Sequence, residues 1–86
     1  MKVSIELTFT PLKDDYEQHI IRFIKALRNS GFTVLENPLS TQIYGDYNKV
    51  MPFLQNEIEN AFSELDIAVL QMKIVKTDRS DYEPHF

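Results

Sequence analysis

The chain has no cysteine, which excludes disulfides, zinc–thiolate sites and thiol catalysis together. A cytoplasmic protein fits that absence. Glycine is scarce, with 2 in the chain, so there is no Gly-rich phosphate loop. Together with 4 prolines, that scarcity rules out collagen-like or linker-like character. Basic residues are outnumbered, 9 Lys+Arg against 13 Asp+Glu, for a formal net charge of −4, and no three basic residues occur in a row. Nucleic-acid binding draws its affinity from Lys and Arg on phosphates, so nucleic acid is not an expected partner. An acidic balance suits neutral or cationic ligands instead. No apolar run approaches the ~20 residues of a membrane span. The first ten residues alternate in polarity instead of forming a signal-peptide core, so no membrane insertion is expected. What remains is an 86-residue chain, 43% hydrophobic and 12% aromatic. That is one domain with apolar material for a core of two layers.

The order of elements is legible from periodicity. Val3, Ile5, Leu7 and Phe9 alternate with Ser4, Glu6, Thr8 and Thr10, the period of a half-buried strand that Pro11 should end. Asp14 and Asp15 offer capping oxygens. Tyr16, Ile20, Phe23, Ile24 and Leu27 then form a helical stripe opposite Arg22, Lys25 and Arg28, with His19 on the polar side. Gly31 suits the left-handed turn after the helix. A second strand is expected from Phe32 to about Leu39 and a third over Ser40–Tyr44, closed by Gly45-Asp46. Asp46 is placed to cap a second helix starting near Lys49–Pro52, with Val50, Leu54, Ile58, Ala61, Phe62 and Leu65 as its stripe. Residues 68–76 alternate again as a fourth strand, and 77–86 form a polar, irregular tail.

This order is β-α-β-β-α-β, the ferredoxin-like α+β sandwich, over a single domain at 1–76. Right-handed crossovers place both helices on one face of a four-stranded antiparallel sheet, with strands 1 and 3 central. The expected core includes Leu7, Ile24, Ile43, Ile58, Met72 and Ile74. The other face, carrying Ser4, Glu6, Thr8, Gln42, Tyr44, Gln71 and Lys73, has no further layer to cover it. Fold alone does not give function. An RNA-recognition module would need aromatics on the open face, a metallochaperone a cysteine pair, and an acylphosphatase-like enzyme an arginine-bearing cradle after strand 1. Tyr44 stands alone on that face, and neither the cysteine pair nor the arginine cradle is present.

The segments around the sheet's turns are more specific. Strand 1 ends in Thr10-Pro11-Leu12, and Glu36-Asn37-Pro38-Leu39-Ser40-Thr41-Gln42-Ile43-Tyr44-Gly45-Asp46 leads into the second helix. This combination resembles the YkoF-like family that binds thiamine or hydroxymethylpyrimidine. Pro38, Ser40, Thr41, Ile43, Gly45 and Asp46 match its pattern, while Asn37 replaces a common Gly and Leu39 a common Met. Pro52 and a shorter tail also depart from it. The resemblance implies a small binding protein, not an enzyme. It also implies a homodimer or homotetramer with no cofactor, and thiamine or its pyrimidine as ligand.

An aminopyrimidine presents an amine donor beside ring-nitrogen acceptors, so its site needs both kinds of partner in one plane. Thr8, Ser40 and Thr41 supply hydroxyls, and Gln42 offers both functions. Glu36, or alternatively Glu6, can accept from the amine. Tyr44 can stack on the ring or face a thiazolium cation. The candidate ligand site is therefore Thr8, Glu36, Ser40, Thr41 and Tyr44, with Ser40 and Thr41 facing the open side or its rim. The alternative for each is ordinary structure: a polar bend at Ser40-Thr41, a surface aromatic at Tyr44, strand filler at Thr8. No catalytic residue is expected, since His19 and His85 lack partners by spacing and Ser40 lacks a base. Asp78, Asp81 and Glu83 lack calcium-loop spacing, so no metal site is expected. A competing function is a self-associating regulatory or assembly module without a small ligand.

Overall fold

The computed structural model describes residues Met1–Phe86. Its elements are β1 (Lys2–Pro11), α1 (Tyr16–Arg28), β2 (Thr33–Glu36), β3 (Thr41–Asp46), α2 (Tyr47–Ser63) and β4 (Ala68–Lys76). The sheet is antiparallel in the order β2-β3-β1-β4, with both helices on one face, and the fold is ferredoxin-like. The alternation in β1 does what its period requires. Val3, Ile5 and Leu7 are buried with Ile43 of β3 against Phe23 and Leu27 of α1 and Val50 and Leu54 of α2. Phe9, Val34, Ile58, Leu70 and Met72 are half-buried around that cluster. Burying one such aliphatic side chain fully is worth ~1.5–3 kcal/mol, so these eight residues dominate the stability.

Several expectations need correction. Ile24, Ile58 and Met72 are half-buried and Ile74 is exposed, because the helices centre over β1 and β3 and leave the β4 edge bare. The buried stripe of α1 is His19, Phe23 and Leu27. Tyr16 is exposed and His19 faces inward. Both Asp14 and Asp15 precede α1, but the N-cap Asp15 makes no side-chain capping bond; its carboxylate turns toward His19 instead. Helix α2 starts at Tyr47, directly from β3, and encloses Pro52. Its first turn does not need the proline: Asp46 Oδ1 accepts from the Asn48 N–H at 3.1 Å, and the Tyr47 N–H donates to the Met1 carbonyl at 2.8 Å.

Gly45 and Asp46 close β3 as expected, with Gly45 opposite Val3. A Cβ there would sit 2.8 Å from Phe32 Cδ1, so only glycine lets the Phe32 ring pack against the strand. Strand β2 stops at Glu36, which frees Asn37–Ser40 as a turn. Asn37 holds that turn with one side-chain oxygen, accepting from the N–H groups of Leu39 (2.9 Å) and Ser40 (3.0 Å). The tail departs from β4 as expected, but its first residues are tied down. Ser4 Oγ donates to the Thr77 carbonyl at 2.7 Å and accepts from the Arg79 N–H at 2.8 Å. The tail thus covers Ser4 on the face that was expected to stay open.

Candidate functional site

Strand lengths create the site. β1 has ten residues and β3 has six, so their ladder runs only from Lys2↔Asp46 to Leu7↔Thr41. Beyond Leu7, β1 continues to Pro11 paired with β4 alone. The Asn37–Ser40 turn bends into the space that further β3 residues would fill. A cleft of about 200 Å³ results, lined by Thr8, Phe9, Ile20, Phe23, Ile24, Pro38, Leu39, Ser40 and Thr41. Its walls are apolar and partly aromatic, with the Phe9 and Phe23 rings 5.1 Å apart and tilted by 51°. Its polar groups come from the strand ends. That combination of apolar walls and few polar groups is the usual make-up of a small-molecule site. The volume lies below the ~300–1,000 Å³ that encloses drug-sized ligands, so the cleft suits a single ring.

Three of the five expected residues meet here, by different routes. Thr8 and Thr41 offer hydroxyls that take no hydrogen bond from the chain. Thr41 is 8% exposed and shares the helical side of the sheet with Leu7 and Ile43, so it does not face the open side as expected. Adjacent strand residues point to opposite faces, so Ser40 and Thr41 reach the cleft from opposite sides. Ser40 Oγ donates to Glu6 Oε2 at 3.0 Å and accepts from Gln42 Nε2 at 2.7 Å. Glu6 therefore orients Ser40 from across the sheet.

The other two residues lie elsewhere. Glu36 pairs in register with Thr41, but its carboxylate is taken by Arg28. Arg28 Nε and NH2 donate to the two carboxylate oxygens at 2.6 and 2.7 Å. That hydrogen bonding holds the Glu36 carboxyl below its ordinary range, against a smaller opposing effect of burial, and raises Arg28. Glu36 is not a cleft residue. Tyr44 sits on the open face in a separate hollow of about 80 Å³ with Ser4, Glu6, Gln42, Lys73 and Val75. Burial first, then the charges of Asp78 and Glu6, push its phenol above the usual value. It stays a protonated donor.

The sequence reading missed the cleft's apolar walls. Phe9, Ile20, Phe23 and Ile24 carry only the signal of core residues, and their second role depends on where β3 stops. It also misplaced His19, which is 9% exposed in a groove between α1 and α2. There Nε2 lies 3.4 Å from Asp15 Oδ1 and Nδ1 3.9 Å from Glu64 Oε2, with Arg22 also bound to Glu64. No group of three or more His, Asp or Glu residues is arranged to hold a metal ion. No helix is long and apolar enough to cross a membrane.

No family model and no curated protein sequence matches the chain. Solved structures do. A protein from Streptococcus pneumoniae is 28% identical, with 94% of this chain and 92% of that one covered, at a TM-score of 0.84. A Thermotoga maritima protein provisionally assigned to thiamine biosynthesis or salvage is 20% identical, with 90% and 85% covered, at a TM-score of 0.81. A domain of unknown function from Bacillus cereus is 14% identical, with 90% and 77% covered, at a TM-score of 0.75. The latter two similarities establish the fold.

Proposed function

We propose that this chain binds thiamine or its hydroxymethylpyrimidine moiety, without transforming it, in the cleft between the Asn37–Ser40 turn and α1. The observation that carries this reading is the meeting of Thr8, Ser40 and Thr41 at one aromatic-walled cleft of single-ring size. The Thermotoga protein's provisional link to thiamine metabolism points the same way. Phe9 and Phe23 supply apolar walls for the ring. The free hydroxyls of Thr8 and Thr41 donate or accept as the ring requires. Binding needs no cofactor or metal, and Ser40 has a carboxylate and an amide beside it but no imidazole to make it a nucleophile. Carriage, buffering or sensing of the ligand follows as the role.

The test is calorimetric titration with thiamine and with hydroxymethylpyrimidine, paired with thermal shift. A ligand that binds only the native state raises Tm by mass action. Thr41→Ala should cost ~1–1.5 kcal/mol of binding, about tenfold in Kd. No heat and no shift with either ligand at millimolar concentration rejects the reading.

The second reading, self-association, is favoured by the β4 edge. This strand of nine residues carries an unpaired ladder side, with Ile67 just before it and Val69, Ile74 and Val75 on it all exposed. Long bare edges of this kind are normally covered or blunted. An apolar groove of about 430 Å³ between α2 and Met72 adjoins it. We propose a homodimer or homotetramer in solution, compatible with ligand binding or, if no ligand binds, as the function itself. Sedimentation equilibrium giving only the 10.1 kDa particle at micromolar concentration would overturn it.

A further inference from the structure

The end of the β1–β3 ladder leaves the backbone N–H and C=O of one residue without a partner. In an antiparallel pair, alternate residues direct both their N–H and C=O toward the same neighbour. The Lys2 carbonyl accepts from Thr77 and the Leu12 N–H donates to Ile67, so the even-numbered residues of β1 face the β4 side. The Met1 carbonyl accepts from Tyr47, so the odd-numbered residues face β3. Val3, Ile5 and Leu7 meet Gly45, Ile43 and Thr41 there. Phe9 is next in line and should meet Leu39. The Leu39 N–H, however, is turned away to Asn37 Oδ1 at 2.9 Å, and no backbone bond joins Phe9 to the turn. Pro11, two residues on, confirms the vacancy on that side. It lies within β1, buried and paired in register with Ala68, and its missing N–H points where no strand requires it.

Backbone polar groups inside a fold are almost always paired. An unpaired N–H and C=O side by side, opening on a cleft, therefore form a recognition edge. We infer that the backbone N–H and C=O of Phe9 read the ligand, pairing with it as β3 would have done. The chemistry that fits is an amidine-like edge, with an N–H donor directly beside a ring-nitrogen acceptor. An exocyclic amine donates to the Phe9 carbonyl while the adjacent ring nitrogen accepts from the Phe9 N–H. The ring then extends the sheet by one pair and lies between the hydroxyls of Thr8 and Thr41. This deepens the proposed function and rests on it, but it makes a separate claim: specificity comes from the exocyclic amine, read by main chain rather than by any side chain.

The experiment is an amide-resolved NMR titration of the ¹⁵N-labelled protein with hydroxymethylpyrimidine and with the analogue in which hydrogen replaces the exocyclic amine. The Phe9 amide proton should move downfield and exchange more slowly on binding. The analogue should bind about tenfold more weakly, as loss of one well-formed hydrogen bond predicts. A synthetic chain with an ester at the Thr8–Phe9 link, which removes the Phe9 N–H and weakens the Thr8 carbonyl on the β4 side, should lose about tenfold in affinity for the pyrimidine while keeping its fold. Shifts at Thr8, Ser40 and Thr41 with Phe9 unmoved, or equal binding of the two pyrimidines, overturn the inference and leave the proposed function standing. No movement of any cleft amide at millimolar ligand overturns both.

Discussion

The two ends of β1 differ in what flanks them. From Lys2 to Leu7 the strand is paired on both sides, and its first residues are stitched further by the Met1–Tyr47 bond and the Ser4–tail bonds. From Thr8 to Pro11 it is paired on one side only. The same alternation of apolar and polar residues therefore builds a closed core at one end and a cleft at the other. Stability should concentrate at the closed end and binding at the open one, since sites that accept ligands keep polar groups that the fold itself has not used.

The largest effect expected is at the closed end. Ile43, fully buried opposite Ile5, should cost ~2–5 kcal/mol when cut to Ala, because both transfer energy and cavity terms apply. Urea denaturation would show it, and a loss under 1 kcal/mol would mean the core is not centred there. Ser4→Ala comes next. It removes a hydroxyl that both donates and accepts, and should cost ~1 kcal/mol. It should also release the tail, seen as faster amide exchange at Arg79; unchanged exchange there would show that the tail does not depend on Ser4. At the open end, Thr41→Val keeps shape and drops the hydroxyl. Its stability should change little while ligand affinity falls, the reverse of Ile43→Ala. A stability loss as large as that of Ile43→Ala would break the comparison.

The smallest effect is in acid. The capping bond to Asn48 is the main cause that holds the Asp46 carboxyl below its ordinary value, and hydrogen bonding from Arg28 does the same for Glu36. A depressed carboxyl stabilises the fold above its unfolded value and loses that contribution as pH falls through the folded one. Stability should therefore decline in the acid range below about pH 4–5. Asp46→Asn, which keeps a capping oxygen but no charge, should flatten the decline. An unchanged acid profile in that variant would assign the decline to other carboxylates.

Periodicity by itself determined the element order, the helix-bearing face and the central strands. Those follow from which residues must avoid water, and β4 at 68–76 follows to the residue. Asp46 as a cap and Gly31 in the left-handed region were also local matters, decided by side-chain reach and the missing Cβ. Only the tertiary structure decided the rest. His19 turned inward because the position of α2 chose which stripe of α1 is covered. Glu36 went to Arg28 because helix α1 ends beside β2, a contact with no sequence signature. Ser40 and Thr41, neighbours in the chain, face opposite sides of the sheet and still meet at one cleft because β3 stops where β1 does not. Strand length relative to a partner is a property of the pair, and no single segment of sequence records it.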